Sequence, residues 1–412
     1  MHSQAPALPL NERALLYTLA AIQFTHIVDF MVMMPLGPEF TRLFGISDAQ
    51  FGLLVSAYTL AAGASGIVAS FFIDRFERKT LMLWTYGAFA LATLACGLSP
   101  SYAMLMFARI AAGLFGGIIG ALVQTMVGDA IPFERRGRAM GLVMASFSLA
   151  TVAGVPASLW LATRFGWNAS FIGIAVASAV IAVVGLRTLP RLDAHLRTRR
   201  HANPWHDFAA VLRDAGHWRA FAFTALIMST GFTVIPFLTI YMTSNLGLAI
   251  EQVPLVYLFG GVATFFSARA IGVLADRWGK VQTFRAVALA AMLPLIGITY
   301  LPPVPLWMLL VVTTLFFMFV SGRMVPGMAL ITASSVPALR GTFMSLNGTV
   351  QSVAMGIAAM VGGMLIGRDA DGRVTGYELC GWVGMGLSLL ALWWVGRIQV
   401  RPSAAAAPGV TA

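Results

Sequence analysis

The sequence predicts an all-α membrane protein whose twelve transmembrane helices form two pseudo-symmetric six-helix bundles. Hydrophobic residues make up 58% of the chain and charged residues only 10%, whereas a soluble domain carries about 25% charged residues on average. Twelve apolar runs are long enough to cross a bilayer, and one short charged motif occurs once in each half of the chain. Lipid must therefore cover much of this protein, and its two halves are expected to be related.

The apolar runs define the predicted spans, because a helix needs about 20 mostly apolar residues to cross a bilayer. The first run contains Asp29 and is too long for a cleavable signal peptide. The chain is expected to divide into a first bundle at 1–187, a cytoplasmic linker at 188–219, a second bundle at 220–400 and a disordered tail at 401–412. The runs lie near 14–37, 49–73, 81–99, 102–130, 139–162, 169–187, 220–243, 253–275, 284–301, 305–332, 342–366 and 379–396.

The distribution of basic residues predicts which side each loop occupies. If the N-terminus is cytoplasmic, the only basic residues in the outer segments are Arg42, Arg164, Arg368 and Arg373. All other Arg and Lys residues outside the apolar runs then lie on the inside, as the positive-inside rule requires. We therefore expect a multi-pass protein of the cytoplasmic (inner) membrane with both termini in the cytoplasm.

Other functional classes find no support in the sequence. The net charge of +11 comes from basic residues in short breaks between apolar runs, without the aromatic surface that nucleic-acid binding uses. The two cysteines, Cys96 and Cys380, lie inside apolar runs and predict neither a disulfide framework nor a metal site. The chain contains no phosphate-binding loop, hydrolase elbow or dinucleotide fingerprint. We predict no enzyme activity and no cofactor, so an ion or solute gradient must supply the energy.

The repeated motif reads Asp74-Arg75-Phe76-Glu77-Arg78-Lys79 in the first half and Gly272 to Lys280 in the second. Each copy lies between two apolar runs, and Asp129 ends the fourth run on the same side of the membrane. Ion pairs at a seam between helices can hold one of two bundle arrangements. The alternative is that these charges only fix the topology. The residues predicted to form a conformational latch are Asp74, Arg75, Arg78, Asp129, Gly272, Asp276, Arg277, Gly279 and Lys280.

These features resemble the major facilitator superfamily, in particular its drug:proton antiporter and sugar-efflux-like branches. The family motif is usually Gly-x-Leu-Ala-Asp-Arg-x-Gly-Arg-Lys. The second copy fits it almost completely, while the first has Ser70 and Glu77 in place of glycines. The resemblance extends over about residues 10 to 400. It implies alternating access, and it implies that the first loop pairs with an acid on span four, for which Asp129 is the candidate.

Two further patterns carry the same resemblance. Arg109 with Gly113 and Gly117 resembles the family's Arg-x-x-x-Gly pattern in span four. In span five, Gly141, Gly154 and Pro156 resemble a degenerate antiporter motif, in which Ala150 replaces a glycine and Val155 is inserted. The second pattern implies an exporter.

Charges inside the apolar runs indicate where the mechanism operates, because charged side chains at that depth usually face a cavity or a partner. Asp29 lies eight residues before Gly37, and Arg109 lies seven residues after Tyr102. Both should therefore lie about 10–12 Å below the outer surface, where they could pair or share a cavity. We predict that Asp29 carries the proton. The alternatives are a purely structural Asp29–Arg109 pair, or titration of His26, which shares a helix face with Asp29.

The remaining polar residues of the spans are candidate substrate contacts: Gln23, Gln124, Thr233, Arg323, Asn347 and Gln351. Such residues also hold helices together in membranes. Arg323 is expected to line the cavity, while Arg269 is expected to extend to the inner surface. Because arginines outnumber the central carboxylate, we hypothesise a substrate with a carboxylate, phosphate or polyhydroxyl group.

The sequence thus predicts a monomeric secondary transporter that moves a small organic solute across the lipid bilayer, outward and in exchange for protons. One alternative is proton-coupled uptake of an organic anion. The other is a receptor-like protein of the same fold that binds but does not transport.

Overall fold

The computed structural model describes residues 11–193, 196, 204–336 and 339–401, which are almost entirely helical. The helices of the first half are Glu12–Val32, Gly37–Phe44, Asp48–Phe72, Arg78–Gly97, Tyr102–Ala130, Phe133–Leu149, Val155–Phe165 and Trp167–Thr188. A helix at Pro204–Arg213 lies in the predicted linker. The helices of the second half are Ala215–Phe232, Leu238–Asn245, Val253–Trp278, Lys280–Thr299, Leu306–Gly322, Met324–Ser334, Arg340–Leu365 and Tyr377–Trp394. Short turns of 3-10 helix lie at Ile73–Arg75, Ile235–Phe237, Ile250–Gln252 and Val395–Arg397, and a π-helical turn at Ala150–Gly154.

Within the described residues, 12 helical stretches are long and apolar enough to cross a membrane, which confirms the predicted number. Because 12 is even, span one begins and span twelve ends on the same face, here called the termini face. The opposite surface is called the far face. In chain order, spans one to twelve are Glu12–Val32, Asp48–Ala69, Arg78–Gly97, Tyr102–Ala130, Ala139–Phe165, Trp167–Thr188, Ala215–Asn245, Ile250–Trp278, Lys280–Thr299, Leu306–Ser334, Arg340–Leu365 and Tyr377–Arg397.

Local sequence explains where the first spans begin and end. Span one stops at Val32, earlier than the apolar run, because the turn that follows contains Pro35, which has no N–H to continue a helix. A separate short helix, Gly37–Phe44, then crosses the far face. Span two begins with a capping box, in which the Ser47 hydroxyl accepts from the Gln50 N–H at 3.2 Å and the Ser47 N–H donates to the Gln50 side chain at 2.9 Å.

Two spans contain breaks beside prolines. In span five, a π-helical turn at Ala150–Gly154 interrupts the α-helix just before Val155 and Pro156. Span ten is interrupted at Arg323, between helices that end at Gly322 and begin at Met324. Pro326 cannot donate a backbone hydrogen bond to the Gly322 carbonyl, which accounts for this break.

The two halves meet along two seams, where span two packs on span eleven and span five packs on span eight. On the far face, one hydrophobic cluster contains buried residues of both halves, including Phe51 and Phe237, whose ring centroids are 6.1 Å apart. Toward the termini face, each half has a hydrophobic cluster of its own. The far face is therefore closed by a hydrophobic core that both halves share, whereas each half has its own core toward the termini face.

The predicted domain boundaries at 187 and 220 stay a prediction. Residues 1–10 of the predicted first bundle, 194–195 and 197–203 of the predicted linker, and 402–412 of the predicted tail lie outside the described residues.

Candidate functional site

Asp29 of span one and Arg109 of span four form a buried ion pair. Arg109 Nη1 donates to Asp29 Oδ2 at 2.9 Å, and the Thr93 hydroxyl of span three donates to Asp29 Oδ1 at 3.2 Å. The side chains of Asp29 and Arg109 are 0% and 1% exposed. Removing either partner of a buried ion pair strongly destabilises a protein, because the remaining buried charge then has no counter-charge. Three spans of the first half thus meet at one carboxylate.

Tyr58 of span two completes the surroundings of Arg109. The guanidinium carbon of Arg109 lies 4.2 Å from the centroid of the Tyr58 ring, within the range of a cation–π interaction. Neither Arg109 Nε nor Nη2 has a hydrogen-bond partner among the described residues, and the same is true of the Tyr58 hydroxyl. Arg109 therefore keeps donors that are not committed to Asp29.

His26 lies beside Tyr58, with ring centroids 6.3 Å apart, and Gln23 lies on the same face of span one as His26. A Cβ on Gly116 of span four would lie 2.6 Å from His26 Nε2 and 2.9 Å from the Tyr58 hydroxyl. The absence of a side chain at Gly116 therefore lets His26 and Tyr58 approach span four. Both ring nitrogens of His26 and the Gln23 Oε1 atom are buried and have no partner among the described residues.

A row of aromatic rings connects Arg109 with the second half. The Tyr58 ring stacks on Phe30 at a centroid distance of 5.5 Å, and Phe30 stacks on Phe232 of span seven at 5.9 Å. Phe30 and Phe232 are both half-buried. Through the rings of Tyr58 and Phe30, the contacts of Arg109 thus extend to Phe232 in the second half. Sequence reasoning missed Tyr58, Phe30 and Phe232, because no local pattern distinguishes them from other aromatic residues of the spans.

The structure corrects the expected position of Arg323, which lies inside the second half. Its side chain is 1% exposed and donates to the carbonyl oxygens of Val320 and Ile227, each at 3.2 Å, and to the Ser388 hydroxyl at 3.3 Å. The Val320 carbonyl borders the break in span ten. Arg323 therefore binds backbone carbonyls of spans ten and seven inside the second half instead of lining a cavity.

The other candidate substrate contacts do not form one group. Asn347 is buried and accepts from the Thr224 hydroxyl at 2.6 Å, and Thr233 donates to the Thr230 carbonyl at 3.2 Å. These two side chains hold neighbouring helices or turns of the second half. Gln124 is exposed and Gln351 is half-buried. Of the six candidates, only Gln23 lies on the same span as Asp29.

The first copy of the repeated motif ties helices together within the first half. Arg78 Nε donates to Asp129 Oδ2 at 2.9 Å, and Arg78 Nη1 donates to the Ile73 carbonyl at 2.6 Å. Of the two arginines considered as partners of Asp129, Arg78 makes the contact, while Arg75 is exposed. The side chain of Asp74 lies outside the described residues. The Arg78–Asp129 pair joins spans three and four and does not cross to the second half.

Glu77 explains how the first copy turns without its glycine. In the second copy, Gly279 has a φ of +91°, which favours glycine, whereas Glu77 has a φ of −64° and caps span three. Its carboxylate accepts from the N–H groups of Lys79 and Thr80 at 2.9 and 2.8 Å. Burial alone would raise the pKa of Glu77, but hydrogen bonds from Thr80, Lys79 and Leu192 outweigh it and hold this pKa below its ordinary value.

The second copy is exposed on the termini face. Asp276, Arg277, Gly279 and Lys280 are all exposed, and Gly272 is half-buried. Asp276 forms no ion pair within the described part of the chain. The two copies therefore differ in this arrangement, and only the first is engaged in an ion pair between helices.

The antiporter-like residues of span five act at close contacts. A Cβ on Gly154 would clash with the Val28 side chain of span one. Next to it, the Thr151 carbonyl would lie 2.8 Å from a Cβ on Gly261 of span eight. The π-helical turn before Pro156 thus contacts span one through Gly154 and span eight of the second half through Thr151. Gly141, in contrast, faces open space.

Comparisons with known proteins agree with this architecture. A family model described as Major Facilitator Superfamily matches residues 19–359. An uncharacterized MFS-type transporter, YceJ of Bacillus subtilis (strain 168), is 24% identical over 362 residues, which cover 87% of this chain and 90% of that protein. A chloramphenicol resistance protein of Streptomyces lividans is 25% identical over 368 residues, which cover 88% of this chain and 90% of that protein.

Two solved structures share the fold. A bacterial homolog of the human lysosomal transporter Spinster, inward-facing and unoccupied, has a TM-score of 0.70 at 17% identity and covers 94% of each chain. A D-xylose-proton symporter has a TM-score of 0.72 at 15% identity, covering 92% of this chain and 96% of that one. The low identities restrict the inference from these two structures to the fold.

Proposed function

Since the chain belongs to the major facilitator superfamily, we propose that it exports a small organic solute in exchange for protons. The family and fold are those of secondary active transporters, which are generally not enzymes. The protein is a multi-pass membrane protein, and the asymmetry of Arg and Lys supports a cytoplasmic-membrane location with both termini inside. The termini face is then cytoplasmic, and the arrangement closed at the far face is inward-facing.

The observation that carries the proposal is the buried Asp29–Arg109 ion pair at 2.9 Å. While Asp29 is ionised it holds Arg109 in place, and Arg109 keeps Nε and Nη2 donors that have no partner among the described residues. A solute with an acceptor group could bind these donors. A proton on Asp29 would remove the charge that holds Arg109 in place and so would release the solute, which makes solute and proton bind alternately, as exchange requires.

The structure changes the hypothesis about the charge of the substrate. The expectation of an anionic or polyhydroxyl solute rested partly on Arg323 in the cavity, and Arg323 is instead bound to helix carbonyls of the second half. The remaining central charges, Asp29 and Arg109, balance each other. The proposal is therefore restricted to a small organic solute, and the name of the Streptomyces lividans relative makes chloramphenicol the first compound to assay.

Flux measurements in proteoliposomes test the proposal. The purified protein is reconstituted with a trapped pH-sensitive dye, and chloramphenicol and a panel of other small solutes are supplied under an imposed pH gradient. Antiport predicts that solute and protons move in opposite directions. Movement in the same direction would support proton-coupled uptake instead, and saturable binding without flux would support the receptor-like alternative.

A further inference from the structure

At the far face, spans two and eleven of the two halves have glycines at their contact. A Cβ on Gly52 would lie 2.8 Å from the Ala359 carbonyl oxygen, and a Cβ on Gly363 would lie 3.1 Å from the Asp48 carbonyl oxygen. Backbone therefore meets backbone across this seam. The first residue of span two, Asp48, is brought next to the segment that follows span eleven.

Asp48 and Arg368 form a two-bond ion pair between the halves at this point. Arg368 Nε donates to Asp48 Oδ2 at 2.9 Å, and Arg368 Nη2 donates to Asp48 Oδ1 at 3.0 Å. The Asp48 side chain is only 3% exposed, while that of Arg368 is 38% exposed. Hydrogen bonding to Asp48 raises the pKa of the Arg368 guanidinium. Paired, parallel bonds of this kind are among the stronger and more directional polar contacts in proteins.

The surroundings of the pair favour the charges that it carries. Asp48 begins the helix of span two, where the helix dipole favours a negative charge. Arg368 lies on a short antiparallel hairpin between spans eleven and twelve, whose strands are Gly367–Arg368 and Val374–Thr375. It also donates to the Gly372 carbonyl at 3.4 Å. The hairpin therefore presents the guanidinium toward span two of the other half.

This pair differs from the other ion pairs found in the described part of the chain. Those of Asp29, Glu39, Asp129 and Glu12 lie within the first half, that of Asp207 lies within the linker helix, and that of Asp214 lies within the second half. Asp48–Arg368 alone, among the described residues, crosses from one half to the other. It must break whenever spans two and eleven separate at the far face.

We propose that Asp48 and Arg368 are the lock of the far face, which holds it closed and must open in each transport cycle. This inference rests on alternating access but not on proton coupling or on the direction of transport. Because Asp48 is buried and Arg368 is partly exposed, the two single changes have unequal effects. Arg368→Gln leaves a carboxylate without its cation inside the seam, whereas Asp48→Asn leaves an arginine that water can reach.

Distance measurements between spin labels at Leu43 and Ile250 test the lock. These exposed residues lie in far-face segments of the first and second half. We expect Arg368→Gln to raise the ratio of open to closed far faces about tenfold or more, and Asp48→Asn to raise it less. The double variant, which removes both charges, should have a lower ratio of open to closed far faces than Arg368→Gln alone.

The Arg42–Glu39 pair provides a matched control, because it lies on the same face within one short helix and Arg42 is 73% exposed. Arg42→Gln should leave the distance distribution unchanged. If Arg368→Gln does not fold, Arg368→Lys keeps the charge but loses the two-bond geometry, and it should give a smaller shift in the same direction. The proposal would be overturned if Arg368→Gln gave the same distance distribution as the unmodified protein. Where Arg368→Lys replaces Arg368→Gln, the same outcome in Arg368→Lys would overturn it. Because the measurement needs neither solute flux nor a pH gradient, it is independent of the proposed antiport.

Discussion

Asp29 and Arg109 lie 80 residues apart in the chain, yet their side chains meet at 2.9 Å in the interior of the first half. The contact places next to each other an acidic residue and a basic residue that both lie well inside apolar runs. Their depths, read from the ends of spans one and four, already predicted that they lie at the same level. The predicted role of Asp29 in carrying the proton follows from this contact and needs its own test.

Replacing Asp29 with Asn should abolish proton-driven transport, because the carboxylate that would bind the proton is gone. Solute exchange without a pH gradient should persist if the variant folds. Asn also leaves the buried Arg109 without its anion, which costs about 3–5 kcal/mol of stability. The unfolding temperature should therefore be lower for Asp29→Asn and partly recovered in the double variant Asp29→Asn/Arg109→Gln. Full proton-driven transport by a folded Asp29→Asn variant would assign the proton to another group.

Much of the fold could be predicted from the sequence, because a membrane span is a local property of about 20 residues. All twelve spans were predicted, and the largest shifts of an end are at span one, which stops before Pro35, and at span seven, which begins at Ala215 and not at 220. Contacts between spans are different, since they depend on how helices rotate against one another. No local spacing predicts the contact between Tyr58 and Arg109, or the contact between Asp48 and Arg368.

The partners of Arg323 could not be predicted from the sequence either. Its depth in an apolar run correctly indicated that it needs partners, but not which ones. The Val320 carbonyl, near the break in span ten, and the Ile227 carbonyl of span seven accept from Arg323, so its charge is satisfied without an acid. A rule that assigns buried arginines to a substrate site does not anticipate a broken helix.

Arg78→Gln should destabilise the first half, because Arg78 is buried and binds both Asp129 and the Ile73 carbonyl. Losing a buried charged hydrogen bond costs about 1.5–3 kcal/mol, so we expect a lower unfolding temperature in detergent. Arg75→Gln is the matched control, since Arg75 lies in the same loop and is exposed. Equal unfolding temperatures for the two variants would show that the Arg78 contacts contribute nothing.

Two glycines of span four should respond oppositely to alanine. Alanine normally favours a helix over glycine by about 1 kcal/mol, and a Cβ on Gly120 would meet nothing within 4 Å. A Cβ on Gly113, in contrast, would clash with the Tyr58 carbonyl oxygen of span two. Gly120→Ala should therefore raise or maintain the unfolding temperature, whereas Gly113→Ala should lower it. A stabilising Gly113→Ala would mean that spans two and four do not approach this closely.

The stability contributed by Asp214 should depend on pH. Burial alone would raise the pKa of Asp214, but hydrogen bonds from Arg401, Gly216 and His217 outweigh it and hold this pKa below its ordinary value of 3.8. A lowered folded-state pKa stabilises the fold above the ordinary pKa, and this stability is lost as the pH falls through the folded-state value. Arg401→Gln should thus cost about 1 kcal/mol at pH 7 and progressively less below about pH 3.8. Thermal unfolding at several pH values measures this, and a loss that does not change with pH would contradict it.

Tyr58 should couple the ion pair to the seam between the halves. Tyr58→Phe keeps the ring beside Arg109 and its stack on Phe30, whereas Tyr58→Leu removes both contacts. A desolvated cation–π interaction contributes about 2 kcal/mol, which corresponds to a factor of about 30. We therefore expect proton-coupled exchange to slow by an order of magnitude or more in Tyr58→Leu and to change little in Tyr58→Phe.

Tyr86→Leu is the matched control for Tyr58→Leu, because Tyr86 is also a buried ring of the first half but its hydroxyl bonds with Thr25 at 2.7 Å instead. Both leucine variants lose a buried ring and should lose similar stability. Only Tyr58→Leu should slow proton-coupled exchange when the rates are compared at equal amounts of folded protein. Equal rates in the two variants would show that the ring beneath Arg109 serves packing alone, and that the ion pair acts on the second half by another route.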